Sequence, residues 1–261
     1  MNDLTARIRR KISCLLRRAN PARLGFPRVL VIGIYLADRK NLIRHIVQEL
    51  GESRLFRVTQ RWAAVGGPPP APHVARATAF RTDRKIPKFQ LLNRLLAGIP
   101  LERYAFVLVC DDDIQLPAEF LDEFLSLQQR YDFALAQPAR TPNSHLDHAI
   151  VRQVPGMIAR QTRFVEIGPL FSIRQDAFPW LLPFPEISPM GWGLDFVWPV
   201  ILEEQGMRLG IIDCTPVRHS LRPPAKAYSE DAAFREMESF LAAIPHLSRE
   251  EALQVIAEYK A

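Results

Sequence analysis

Three consecutive carboxylates follow an apolar, β-forming run in Tyr104–Pro117, YAFVLVCDDDIQLP. An apolar run this short reads as a strand buried on both faces, as in the middle of a parallel sheet. Ligands of open α/β sheets gather at the carboxyl ends of such strands. Asp111, Asp112 and Asp113 stand at that end. In an extended chain Asp111 and Asp113 share one side and Asp112 takes the other. Adjacent anions stay ionised only with cations close by. Hard oxygen ligands on a short loop suit Mg²⁺ or Mn²⁺, above all one shared with a diphosphate. The competing reading is a solvated acidic turn that merely ends the strand.

Other residue types along the chain could do chemistry. Arg76, Arg81, Arg84, Lys85 and Lys88 precede a helix expected over Phe89–Leu96. Cations at a helix start oppose its dipole unless an anion sits there, so a phosphate site using Lys88 and one arginine stands beside a solvated basic loop. Gly191–Asp195, GWGLD, places a carboxylate after two glycines and Trp192, before an apolar helix over Phe196–Glu204. Asp195 is therefore either an N-cap or a carboxylate presented with an aromatic face to a sugar. His219 closes the stretch after the strand RLGIIDC; alone, such a histidine is more often structural than a ligand. His145, Asp147 and His148 lie in 138–163, read as a long, proline-interrupted loop of the kind that forms lids. No third ligand is spaced to complete a metal set there, which favours a solvated loop.

The elements that must position these groups alternate strand and helix. Arg28–Leu36 reads as a first strand, Asp38–Leu50 as a helix ended by Gly51, and Leu55–Ala64 as a second strand. Gly66–Pro72, GGPPPAP, must be a loop. A helix over Pro117–Gln129 and strands over Asp132–Gln137, Phe164–Ile173 and Arg208–Cys214 follow. Two closing helices are expected, Tyr228–Leu241 and Ser248–Lys260, the second opened by a Ser248/Glu251 capping box.

Charge is unevenly placed. Residues 1–28 hold eight Lys/Arg against one Asp, a net of +7, so with +6 overall the rest of the chain sums to about −1. A general nucleic-acid-binding surface would mark the body too, so no nucleic-acid partner is expected. Residues 2–19 carry Leu4, Ile8, Ile12, Leu15 and Leu16 on one helical stripe ringed by six Arg/Lys. Such a helix can lie on an anionic membrane surface, each cation contributing ~1 kcal/mol, or pack on the body. No run reaches the ~18 apolar residues a span requires, and no secretory core precedes the body. Cys14, Cys110 and Cys214 are far apart and odd in number, which fits a reducing compartment and argues against disulfides or structural zinc. A cytoplasmic protein, peripheral at most, is the expectation.

In order, the strand–DDD turn, FVEIGPLFS and GWGLDF…GIIDCTPVRHS resemble a family catalogued as a domain of unknown function, common in plants and bacteria. The resemblance spans roughly residues 28–222, with Met190 standing where the family has a His and Asp112 where it has a Glu. That family is in turn similar to GT-A glycosyltransferases. The resemblance implies an α/β three-layer sandwich with a mostly parallel central sheet. It also implies a Mn²⁺- or Mg²⁺-dependent enzyme using a nucleotide-sugar donor and a hydroxyl acceptor on a saccharide or lipid-linked saccharide. Carried over, Asp111, Lys88 and Arg84 would face the donor nucleotide and its diphosphate, while Asp113 and His219 would hold the metal. Asp195 would be the base of an inverting displacement, and Trp192, Gly193 and Glu166 would contact the sugar or acceptor. The implied division is a basic segment 1–27, a catalytic domain 28–222 and a helical extension 223–261. Two other readings stand beside this one: another metal-dependent nucleotidyl- or phosphoryl-transfer enzyme, and a non-catalytic scaffold held at a membrane by its basic tail.

Overall fold

The computed structural model describes residues 25–222 and 230–260; the expected N-terminal amphipathic helix lies outside them. Strand β1 (Arg28–Leu36) is buried along nearly its whole length, as its continuous apolar sequence requires. It pairs in parallel with β2 (Arg57–Val65) on one side and β4 (Phe106–Asp111) on the other. Alternate side chains of these strands feed two separate cores. Val29, Val31, Phe106 and Leu108 point to the side covered by α1 (Ile43–Gly51) and α4 (Phe120–Arg130). Leu30, Ile32, Val107 and Val109 point to the side covered by α3 (Lys88–Leu96) and α6 (Leu194–Glu204). The result is three layers, helices on both faces of one sheet. Each fully buried Leu, Ile or Phe on these faces contributes about 1.5–3 kcal/mol relative to exposure.

Nine strands run in the order β10-β7-β9-β6-β8-β4-β1-β2-β3, where β3 is Thr78–Thr82, β6 Phe133–Arg140, β7 Met157–Thr162, β8 Leu170–Arg174, β9 Arg208–His219 and β10 Val255–Lys260. Only β7 and β8 oppose the common direction, as their antiparallel pairings require. The strand order turns around between β1 and β4, so a crevice opens at their carboxyl ends. A two-residue strand, β5 (Ile114–Gln115), leaves the sheet and pairs with the far end of β9, setting Ile114 opposite His219. That register is what carries the acidic turn to the histidine, across more than a hundred residues of chain.

Several sequence expectations are corrected. The segment 138–163 is not a free loop: it finishes β6, makes a short helical turn and forms β7, whose Arg160 pairs with the buried Asp213 of β9 at 2.9 Å. The strand expected from Phe164 begins only at Leu170, because residues 164–169 bend through the site. The first helix starts at Ile43, not Asp38, because the Leu42 N–H is already donated to the Asp112 carbonyl at 2.6 Å. The capping box is present: Ser248 caps α8 (Arg249–Ala252) and Glu251 returns the bond. The helix it opens is a single turn, however, and the β-branched and aromatic Val255–Lys260 pairs with β7 instead. Tyr259 stacks on Tyr131 at 4.3 Å, anchoring that edge. The C-terminal part of the chain therefore contributes one long helix, α7 (Glu230–Ala243), and an edge strand.

Candidate active site

The acidic turn is not a solvated one. After Asp111 the backbone leaves the extended form, and each of the three carboxylates finds its own counter-group. Asp111 pairs with Lys88 Nζ at 2.7 Å, and Lys88 also donates to the Ile167 carbonyl at 3.2 Å. Asp112 is buried; its Oδ2 accepts the Leu36 N–H at 2.7 Å, and its Oδ1 contacts Arg222 Nη2. Asp113 faces two nitrogen groups, His219 Nε2 at 3.3 Å from Oδ1 and the Arg222 guanidinium Nη2 at 3.1 Å from Oδ2. The sequence rule that sets Asp112 apart from its neighbours fails here, because Asp112 and Asp113 share one guanidinium while Asp111 looks to Lys88.

Electrostatics differ within the turn. Burial pushes the Asp112 carboxyl up to about 6, with Arg222 and the Leu36 N–H pulling back and Asp113 adding to the rise. Burial acts on Asp113 too, but the hydrogen bond and charge of His219, with Arg222 behind them, hold its carboxyl below the ordinary value.

Residues 166–168 join this turn to a second group of charges. Gly168 lies so close that a Cβ there would stand 2.9 Å from Lys88 Nζ and 3.0 Å from Asp111 Oδ2, so any side chain would press on the Lys88–Asp111 pair. Its carbonyl accepts from Arg140 at 2.7 Å. Two residues earlier, Glu166 is buried against Arg140 Nη2 and against His148 Nδ1 at 2.9 Å, and its N–H donates to Gln137 at 2.5 Å. Each Glu166 oxygen thus already has one hydrogen-bond partner, Arg140 or His148. His148, read from sequence as part of a solvated loop, is packed against Phe164 with ring centroids 4.7 Å apart. His145 is likewise drawn in, donating its N–H to the His219 carbonyl at 2.7 Å.

Asp195 is not an N-cap. Gly193, at φ 92°, holds that place, and Asp195 falls in the first turn of α6. The carboxyl is buried and its Oδ1 has no hydrogen-bond partner among the described residues. Burial pushes it up to about 7; His148 and the N–H groups of Asp195 and Phe196 draw it down, while Glu166 raises it further. Trp192 is half-buried and meets Phe234 of α7 edge-on at 5.2 Å. A Cβ on Gly193 would press on Met237 and Leu241 of the same helix, so α7 roofs the GWG turn. Arg84 is exposed, and its side chain makes no hydrogen bond or ion pair among the described residues, apart from the other predicted groups.

The structure therefore brings Asp111 to Lys88 and Asp113 to His219 in one turn, while Asp195 lies where the charges of Glu166 and His148 act on it. Sequence reasoning missed Arg222 and Arg140 and assigned His148 to a solvated loop. Nothing local marks their pairing; each has its partner 18 to 110 residues away.

Asp113 and His219 fit a shared divalent ion. Their facing atoms are 3.3 Å apart, close to the ~3 Å edge of an octahedron with ~2.1 Å bonds. The described residues contain no group of three or more His, Cys, Asp or Glu placed to hold a metal. Two protein ligands plus phosphate oxygens and water suit Mg²⁺-type binding nonetheless.

No protein-family model matches the sequence, and no curated protein is similar to it. Solved structures do share the fold. One is S. aureus TarS 1-349 in complex with UDP-GlcNAc, similar with a TM-score of 0.56 and 13% identity over 83% of this chain and 66% of that one. Another is GalNAc-T7 with UDP, GalNAc and Mn²⁺, with a TM-score of 0.52 and 12% identity over 81% of this chain. This chain spans only 48% of the latter. The architecture is that of the GT-A glycosyltransferases, as the motif blocks imply.

Proposed function

We propose that the protein is a glycosyltransferase that moves a sugar from a nucleotide-sugar donor to a hydroxyl acceptor by a single inverting displacement. The observation that carries this reading is the buried Asp195 carboxyl, one oxygen without a partner among the described residues and within reach of the charges of Glu166 and His148, in a fold that sets the Lys88–Asp111 pair at the carboxyl end of the central strand. The GT-A fold, shared with structures that hold UDP-GlcNAc or UDP with Mn²⁺, supports a nucleotide-sugar donor.

Lys88, paired with Asp111 at 2.7 Å, would neutralise the donor's diphosphate, and Asp111 would hold the nucleotide side of the same site. Asp113 and His219 would hold Mn²⁺ or Mg²⁺, which when bound supplies positive charge to the leaving diphosphate. As the acceptor oxygen bonds to the anomeric carbon, the carbon–oxygen bond to the diphosphate breaks and Asp195 takes the hydroxyl proton. A carboxyl near 7 is matched to that task at neutral pH, where positioned bases give 10²–10⁴-fold. His148 and Glu166 fix the charge around it. The half-buried Trp192 offers its ring to a sugar beneath α7. The basic segment 1–19 would bring the enzyme to lipid-linked acceptors at an anionic surface.

The test is product analysis with a panel of nucleotide sugars and Mn²⁺. Release of a nucleoside diphosphate from one of them is the expected result. Release of pyrophosphate from nucleoside triphosphates, or no turnover of any sugar nucleotide with a range of acceptors, would contradict the reading.

A further inference from the structure

The acidic turn already holds a cation of its own. Arg222 Nη2 contacts Asp112 and reaches Asp113 Oδ2 at 3.1 Å, while Nη1 donates to the Lys40 carbonyl at 3.0 Å and lies 3.4 Å from Asp112 Oδ2. One guanidinium thus spans both carboxylates and is tied to the backbone beyond β1. The planar fork is what makes such a span achievable; an ammonium is a single point charge. The pair that would ligate a divalent ion, Asp113 Oδ1 and His219 Nε2, is on the other side of the same carboxylate. A dication there would stand within a few ångströms of a fixed positive charge that also drains the charge of its main ligand.

We infer that Arg222 is a built-in counter-cation that opposes divalent-metal binding at the Asp113–His219 pair. In the free protein Arg222 pairs with Asp112 and Asp113, so the turn is neutralised without metal. The deduction sharpens the metal site of the proposed transferase, but its test needs no nucleotide, so the two fail separately.

The experiment is titration with Mn²⁺ alone, following the EPR signal of unbound Mn²⁺, on the wild type, Arg222→Gln, Arg222→Lys and the double variant Asp113→Asn/Arg222→Gln. Removing a unit charge a few ångströms from a dication is expected to tighten Mn²⁺ binding about tenfold or more. Arg222→Lys, which keeps the charge and loses the fork, should tighten it several-fold and serves if the Gln variant does not fold. The gain should vanish in the double variant. Equal affinity in all variants, no binding by any of them, or a gain that survives Asp113→Asn would overturn the inference.

Discussion

Two acidic regions, one at the carboxyl end of a strand and one in the first turn of a helix, are treated in opposite ways by the fold. At the end of β4, every carboxylate is matched: Asp111 with Lys88, Asp112 with Arg222 and the Leu36 N–H, Asp113 with His219 and Arg222. At the start of α6, Asp195 is buried with one oxygen unpartnered. Matching holds Asp113 ionised below its ordinary value, while starvation lifts Asp195 to about 7. The difference teaches how one fold divides labour between similar side chains. A carboxyl set beside cations is held charged, and one buried with an oxygen unpartnered holds its proton to higher pH.

The largest expected effect comes from breaking the starved side. Asp195→Asn should lower transfer by about 10²–10⁴-fold while nucleoside diphosphate binding stays unchanged, measured by product release and calorimetry. The wild-type rate should rise with pH through a midpoint near 7, as the base form accumulates. Stability carries the opposite sign. The folded protein keeps a proton on Asp195 that the unfolded chain releases in the ordinary carboxylate range, so this group's contribution falls as pH rises from about 4 to 7. Asp195→Asn should remove that loss, and thermal unfolding at pH 5 and pH 8 compares the two proteins. A variant that keeps full activity would show that Asp195 is not the base.

A smaller effect is expected where the two regions meet. Gly168→Ala would put a methyl carbon 2.9 Å from Lys88 Nζ and 3.0 Å from Asp111 Oδ2. Lys88 must then move off Asp111, and diphosphate affinity should drop by about tenfold, the order of one charge-assisted hydrogen bond. Unchanged affinity by calorimetry would mean the close approach does not position Lys88. Smaller again, Tyr259→Ala should cost about 0.5–1.5 kcal/mol in denaturant unfolding through its lost stack on Tyr131, with ligand binding untouched. No loss would argue that β10 adds nothing to the sheet.

How much of this was legible in sequence follows from burial. Strands sheathed on both faces, β1 and β4, declare themselves as unbroken apolar runs, and the carboxylates at the end of β4 stand out against them. Strands β3 and β10 lie at the sheet's edges with every residue exposed or half-covered, and their sequences resemble loop and helix as much as strand. The charge network was illegible for a different reason. Glu166 is an acid in a recognisable block, but only the fold reveals that Arg140 and His148 each pair with one of its oxygens. Arg222 looks like any surface arginine until the β5–β9 pairing folds the chain end over the acidic turn. Long-range pairing of charges leaves no periodicity to read.

The account rests on the end of β4 being a nucleotide-diphosphate site, and thermal unfolding with a panel of nucleoside diphosphates and Mn²⁺ tests it most directly. A ligand at ~100 times its dissociation constant stabilises by about 2.7 kcal/mol, roughly 2–4 °C per kcal/mol for a chain of this size. The predicted result is a shift of several degrees with one nucleoside diphosphate, lost in Lys88→Met. No shift with any nucleotide, or the same shift in Lys88→Met, would contradict it.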